Sequence, residues 1–207
     1  MAQFETLTAI AAPIVGDNID TDQIFPSRFI SKDRAAGLYG TYFLHDLRFD
    51  ENGAPRPDFV LNDKRVEGAK IIVAGANYAC GSARPGAIYS HLDCGIQAII
   101  AESFGPLFPT VAFKSGLLTI QLPKESARHC REMLLRQLGA TITIDLKRQI
   151  VLSPDGQSFP FEIDYFAKKM FVEGLNEIDL TLQLRDKIEA FEARHRLSLP
   201  WVYGGNQ

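Results

Sequence analysis

The chain has 207 residues, 46% of them hydrophobic, and its 22 basic and 25 acidic side chains give a net charge of −3. This length and composition fit one domain with a substantial hydrophobic core. The slightly acidic balance gives no electrostatic reason to expect nucleic acid or an anionic membrane as a partner, and no apolar run approaches the roughly 20 residues that span a bilayer.

The amino-terminal part of the chain combines a β-prone segment with a group of aspartates. Its first residues lack the basic and apolar segments of a secretory signal, so we expect a cytoplasmic protein. Residues 4–15 predict the first strand. Asp17, Asp20 and Asp22 follow among turn-forming residues, and taken alone they indicate Asx turns and helix caps.

The next segment is rich in glycine and aromatic residues. A helix or turn is expected from Pro26, and residues 37–44 predict a second helix before an irregular loop with a turn at Asn52 and Gly53. Residues 58–62 predict a short strand. A segment with so little regular structure is either functional or ordered by a partner.

The centre of the sequence, residues 69–101, predicts a strand, a helix and a second strand. Residues 69–74 and 97–101 are apolar and β-branched, and Pro85 is well placed to start the helix between them. The intervening turn, residues 75–84, would lie at a strand's carboxyl end and a helix's amino end. Free backbone N–H groups and the helix dipole favour negative charge there, so the pattern predicts a carboxylate-binding site.

Ser82 and Arg84 carry the chemistry of this turn. Arg84 offers a fork that can bind a carboxylate through two hydrogen bonds. Ser82 could act as a general base if it were deprotonated, which requires positive charge from Arg84, the helix start and Arg28. The alternative is that Ser82 only caps the helix. The residue pattern leaves both interpretations open.

The remaining elements predict a mixed α/β domain. They are a short helix within 102–116, strands at 117–122, 140–146, 149–152 and 159–163, and helices at 124–138, 165–173 and 176–196. Strands and helices do not alternate regularly, and there is no dinucleotide-binding, P-loop or nucleophile-elbow motif. We therefore predict a single domain over residues 1–207, with a C-terminal helical extension from about residue 176.

Cysteine usage predicts neither a disulfide framework nor a zinc site. The chain has three cysteines, Cys80, Cys94 and Cys130, an odd number without CxxC spacing. We expect Cys80 and Cys94 to be packing residues.

Several ordered motifs closely resemble the small subunits of 3-isopropylmalate dehydratases (isopropylmalate isomerases). They are Asn-Ile-Asp-Thr-Asp-Gln-Ile at 18–24, Pro-Asp-Phe-Val-Leu-Asn at 57–62, Gly-x-Asn-Tyr-x-Cys-Gly-Ser-x-Arg at 75–84, Phe-Lys-Ser-Gly-Leu-Leu at 113–118 and Gly-Leu-Asn-Glu-Ile-Asp-Leu-Thr-Leu at 174–182. The resemblance covers nearly the whole chain. It implies an α/β fold, the swivelling β/β/α-layered domain of the aconitase superfamily.

The resemblance also implies a partner. Small subunits of this family associate with a large subunit that carries a four-iron–four-sulfur cluster. Together they isomerise 2-isopropylmalate to 3-isopropylmalate in leucine biosynthesis, through isopropylmaleate. We therefore expect this chain to bind no cofactor and no metal itself, and to act on a substituted malate only with its large subunit. Whether the isolated chain forms a homodimer stays open.

The family's site residues carry over by motif. The resemblance implies that Ser82 is the base that takes the proton α to a carboxylate, while the cluster acts as Lewis acid on the leaving hydroxyl. It implies that Arg84 binds a substrate carboxylate and that Asp22 supports the catalytic hydrogen-bond network. Further residues implied at the substrate are Asp20, Thr21, Arg28 (a second carboxylate contact) and, on a loop facing the malate side group, Leu38 and Tyr39.

The chain departs from the family pattern directly after its cysteine motif. The family usually reads Gly-Ser-Ser-Arg-Glu-His-Ala, whereas residues 81–87 read Gly-Ser-Ala-Arg-Pro-Gly-Ala, and Ala76 replaces the usual arginine before Asn77. The serine base and the arginine remain. Two alternatives therefore stand beside the main interpretation: a paralogous hydro-lyase for another substituted malate of the 2,3-dimethylmalate type, and a non-catalytic subunit that binds a partner.

Overall fold

The computed structural model describes residues 3–82 and 84–203, which are built on a seven-stranded sheet. The strands are β1 (Thr6–Pro13), β2 (Ile71–Val73), β3 (Ala98–Ala101), β4 (Leu118–Gln121), β5 (Thr141–Asp145), β6 (Ile150–Leu152) and β7 (Ser158–Pro160). Their order across the sheet is β4-β3-β2-β1-β5-β6-β7. Strands β1 to β4 pair in parallel, whereas β5 joins β1 antiparallel and continues into β6 and β7. The predicted mixed α/β class is confirmed.

Helices cover both faces of the sheet and extend beyond it. They are α1 (Thr21–Ile24), α2 (Tyr39–Tyr42), α3 (His45–Arg48), α4 (Pro85–Asp93), α5 (Phe108–Lys114), α6 (Lys124–Arg136), α7 (Tyr165–Glu173), α8 (Glu177–Leu182), α9 (Arg185–Ser198) and α10 (Pro200–Tyr203). Short 3₁₀ turns cover Ser27–Phe29, Arg34–Ala36, Val60–Asn62 and Lys64–Val66. Among the residues described, none of the helices combines the length and apolarity that a bilayer crossing needs.

The predicted crossover unit is confirmed as β2, α4 and β3. The two strands are parallel and every residue in them is buried. This explains their continuous apolar sequence, because a parallel strand covered on both faces has no solvent side. Ile72 and Ile99 pack under α4, while Ile71 and Ile100 face the opposite core beneath α6. Burial of each such side chain contributes roughly 1.5–3 kcal/mol.

One predicted strand is wrong. Residues 58–62 contain a 3₁₀ turn, Val60–Asn62, and take no place in the sheet. The Asn62 side-chain amide donates to the carbonyls of Arg48 (2.6 Å) and Arg56 (2.9 Å). The segment therefore closes the long irregular loop, and its hydrogen bonds go to that loop instead of to a neighbouring strand.

The C-terminal helices lie largely outside the core. Asn176 caps α8 through a capping box with Asp179, and the predicted long helix is divided into α8 and α9 near Gln183. None of the residues in α8, α9 or α10 is buried. The interpretation of this segment as a helical extension stays a prediction.

Candidate active site

The turn between β2 and α4 lies beside the aspartate-rich segment that follows β1. The backbone N–H of Ala76 donates to Asp17 Oδ1 (2.8 Å), and the N–H of Asn18 donates to the Ala76 carbonyl (2.9 Å). Further along, the N–H of Thr21 donates to the Cys80 carbonyl (2.9 Å). Because β1 and β2 are parallel neighbours, their carboxyl ends meet at one edge of the sheet, and two motifs far apart in sequence form one surface.

The backbone of this turn is held in uncommon conformations. Asn77 and Ala79 have φ values of 53° and 56°, and Gly81 has φ 92°. A left-handed conformation costs a residue with a Cβ about 1–2 kcal/mol. At Gly75 an added Cβ would meet the Asp17 carboxylate and lie 2.6 Å from the Gly16 carbonyl oxygen. The turn therefore requires glycine at position 75, where its backbone comes close to Gly16 and Asp17. The surrounding contacts hold Asn77 and Ala79 in their strained conformations.

Ser82 and Arg84 are both exposed at the start of α4. The N-cap residue of α4 is Arg84, its backbone is extended, and no side-chain cap bond is found among the described residues. Ser82 therefore does not cap this helix, and that alternative is wrong. The Ser82 carbonyl accepts from the Arg84 N–H at 2.7 Å, and the residue as a whole is exposed to solvent.

Asp22 is brought next to Arg84. Arg84 Nη1 donates to Asp22 Oδ1 at 3.1 Å, and the two side chains are 44% and 56% exposed. An exposed ion pair of this kind is worth about 0–1 kcal/mol. A ligand carboxylate can therefore displace Asp22 from the guanidinium at little cost.

Asp20 and Thr21 support the site from behind. Asp20 is the N-cap of α1, and its carboxylate accepts from the N–H groups of Asp22 and Gln23, each at 2.8 Å. Thr21 is buried, and its Oγ1 would lie 3.2 Å from a Cβ at Gly81. The structure thus places both residues beside the turn, with Asp20 fixing the helix that presents Asp22. The cap interpretation of the aspartates is confirmed for Asp20. The Asp17 carboxylate instead accepts from Ala76, 59 residues further along the chain, and this hydrogen bond is neither an Asx turn nor a helix cap.

The Arg28 side chain is already paired with a carboxylate of this chain. Its guanidinium forms a two-pronged ion pair with Asp46 and lies 4.5 Å over the Phe29 ring. The Arg28 hydrogen bonds lower the pKa of Asp46 to about 2, so the carboxylate stays ionised at neutral pH. A substrate carboxylate would have to compete with Asp46 for this fork.

Leu38 and Tyr39 lie at the start of α2 and have different surroundings. Leu38 is half exposed. Tyr39 is buried, its ring stacks on Phe25 at 4.8 Å, and its hydroxyl donates to the Lys32 carbonyl. Leu38 is thus available to a ligand, whereas Tyr39 supports the loop from the aromatic core.

Two contacts near the site were missed by sequence reasoning. Arg34 binds Asp93 of α4 through Nε (2.9 Å) and Nη2 (2.6 Å) and lies 4.0 Å over the Tyr89 ring, which ties the loop before Leu38 to α4. Gly86 packs against Phe25, where a Cβ would lie 2.7 Å from the ring. Glycine inside a helical pattern signals a packing reason, so Gly86 was the available clue.

The described residues hold no group of three or more His, Cys, Asp or Glu that could bind a metal ion. Cys80, Cys94 and Cys130 are free thiols. Burial raises the pKa of Cys94, and that of Cys130 to about 12, so these two are poor thiolate donors. An iron–sulfur cluster needs several thiolates gathered at one point, and because no such group is found among the described residues, the three cysteines do not fit one.

Comparison with known families accounts for most of the chain. Residues 1–125 match the aconitase C-terminal domain, and residues 133–164 match the model described as LeuD_N. Residues 177–205 match the C-terminal domain of the 3-isopropylmalate dehydratase small subunit.

Two relatives with curated names align with this chain over nearly their whole length. The chain is 43% identical to the 3-isopropylmalate dehydratase small subunit of Paramagnetospirillum magneticum, over 98% of this chain and 100% of the relative. It is 43% identical to that of Rhodospirillum rubrum, over 98% and 97%. The solved 3-isopropylmalate dehydratase (leuD) from Methanocaldococcus jannaschii, 23% identical, superposes with a TM-score of 0.62 over 90% of this chain and 99% of that one. The chain thus belongs to the family of 3-isopropylmalate dehydratase small subunits and has the swivelling β/β/α-layered fold of the aconitase superfamily.

Proposed function

We propose that this chain is the small subunit of a 3-isopropylmalate dehydratase, a hydro-lyase of leucine biosynthesis. With its large subunit it isomerises 2-isopropylmalate to 3-isopropylmalate by dehydration and rehydration. The observation that carries the proposal is the 43% identity to small subunits of this name over 98% of the chain. The exposed group of Ser82, Arg84 and Asp22 supplies the matching chemistry.

Ser82 is the base in this proposal. As an alkoxide it takes the proton from the carbon α to a carboxylate while the hydroxyl leaves the neighbouring carbon, which gives isopropylmaleate. Return of the proton to the carbon that lost the hydroxyl, and of a hydroxyl group to the carbon that lost the proton, gives the isomer. The amino end of α4 and the Arg84 guanidinium both favour negative charge at this position, and this lowers the cost of ionising the hydroxyl.

Arg84 binds one substrate carboxylate in place of Asp22. The exposed Arg84–Asp22 pair, at 3.1 Å, holds the guanidinium in place before substrate arrives. The released Asp22 remains beside the site and accepts a hydrogen bond from the bound ligand. The half-exposed Leu38 contacts the apolar side group of the malate.

The site is completed by the large subunit. The four-iron–four-sulfur cluster that we place in that subunit would supply the Lewis acid for the hydroxyl group. The cysteines of this chain do not fit such a cluster, and Ser82 and Arg84 lie on an open surface that a partner can cover.

The test of this proposal determines which side group the substrate carries. The chain is co-expressed with a 3-isopropylmalate dehydratase large subunit from the same organism, and the purified complex is assayed with 2-isopropylmalate and 2,3-dimethylmalate. We expect turnover of 2-isopropylmalate with the higher kcat/KM. A preference for 2,3-dimethylmalate would establish the paralogous hydro-lyase. A stable complex that turns over neither compound would establish a non-catalytic partner-binding subunit.

A further inference from the structure

A buried hydrogen bond joins the active-site turn to the helix that follows it. Tyr78 lies within the turn and His91 lies on α4, and the Tyr78 hydroxyl is 2.9 Å from His91 Nε2. Both side chains are buried. The contact therefore brackets residues 79–90, the stretch that contains Ser82 and Arg84.

The direction of this hydrogen bond follows from its neighbours. His91 Nδ1 lies 2.6 Å from the Ala87 carbonyl, which can only accept, so Nδ1 carries the proton. In the neutral ring Nε2 is then an acceptor, and the Tyr78 hydroxyl donates to it. Burial lowers the pKa of His91 to about 4, which keeps the ring neutral at physiological pH. The rings of Phe43 and Phe108 pack against the imidazole.

Tyr78 is also fixed through its backbone. Its N–H donates to the Ser103 carbonyl and its carbonyl accepts from the Gly105 N–H, each at 2.9 Å. The residues on either side, Asn77 and Ala79, both have positive φ. Such conformations persist only where the surroundings over-determine them. Tyr78 is therefore the buried anchor between two strained residues.

We propose that Tyr78 and His91 act together as positioning residues for the turn that presents Ser82 and Arg84, an inference that rests on the function proposed for that turn. Neither side chain reaches the exposed surface, so neither touches the substrate. Removal of one partner leaves a buried donor or acceptor unsatisfied, which is costly, whereas removal of both leaves an apolar contact. The pair should therefore show strong coupling in a double-mutant cycle.

The test uses Tyr78→Phe, His91→Leu and the double variant, with Tyr165→Phe as the control that removes a hydroxyl from an exposed ring. Each single variant should lower kcat of the complex on 2-isopropylmalate by about tenfold, with a smaller change in KM. The double variant should recover most of this loss. His91→Gln, which keeps an acceptor for the Tyr78 hydroxyl, should lie closer to the unaltered chain than His91→Leu. Unchanged kcat in the single variants, or no recovery in the double variant, would overturn the proposal.

A second measurement separates this inference from the function on which it rests. In the full chain alone, hydrogen exchange of the backbone amides of residues 77–82 should be about tenfold faster in each single variant and near normal in the double variant. If the unaltered complex turns over no substituted malate, the proposed function fails. Faster exchange in the single variants would still support the positioning role of Tyr78 and His91. Unchanged exchange would overturn it whether or not the complex is active.

Discussion

Replacement of Gly86 by alanine sets helix propensity against packing at the start of α4. Propensity favours alanine over glycine by up to about 1 kcal/mol within a helix. The added Cβ, however, would lie 2.7 Å from Cδ1 and 2.8 Å from Cε1 of Phe25. The Phe25 ring is buried and stacks on Tyr39 at 4.8 Å, so it cannot swing aside. Over-packing of this kind costs about 1–3 kcal/mol, and we expect a net loss of about 1–2 kcal/mol in the free energy of unfolding.

Urea unfolding of the full chain, followed by circular dichroism, measures this effect. The midpoint should fall while the slope m stays constant. The matched control is Phe25→Leu, alone and combined with Gly86→Ala. Because the smaller side chain leaves room for the Cβ, the double variant should be more stable than the sum of the two single effects predicts. A Gly86→Ala chain that is more stable than the unaltered one would refute the packing argument.

Two further predictions concern stability. The pKa of His91 is lowered by burial from 6.5 to about 4. As pH falls through this range the unfolded chain binds a proton and the folded chain does not, so the free energy of unfolding should drop by on the order of 3 kcal/mol. His91→Leu combined with Tyr78→Phe should abolish this part of the pH dependence, and a urea-unfolding series that keeps it would contradict the assignment. Deletion of residues 177–207 should shift the free energy of unfolding, measured with urea, by only about 0.5 kcal/mol. The reason is that no described residue of α8, α9 or α10 is buried. A loss of several kcal/mol would show that these helices stabilise the core.

The sequence predicted the regular elements well where apolar residues formed a continuous run or a clear period. The strands around Ile72 and Ile99 are buried on both faces, and this produces the unbroken apolar runs from which they were predicted. Residues 58–62 misled because a short apolar run reads alike in a strand and in a turn. What distinguishes them is the Asn62 side chain, which binds loop carbonyls that only the folded structure brings near.

The site was predicted only in part for a related reason. Ser82 and Arg84 belong to one local motif, so the sequence alone singled them out as candidates. The Arg84–Asp22 pair joins residues 62 apart in sequence, and its geometry depends on the parallel pairing of β1 and β2. The hydrogen bond between Tyr78 and His91 has no local signature, because a tyrosine and a histidine in apolar surroundings read as ordinary core residues.

The proton-transfer role of Ser82 is the central claim, and kcat of the Ser82→Ala complex tests it most directly. The complex is formed with the large subunit and assayed with 2-isopropylmalate, with Ser158→Ala as an exposed-serine control on β7. We predict a fall in kcat of about 10²–10⁴-fold for Ser82→Ala, with assembly of the complex unchanged. Turnover near that of the unaltered complex would remove Ser82 from the mechanism and contradict the account.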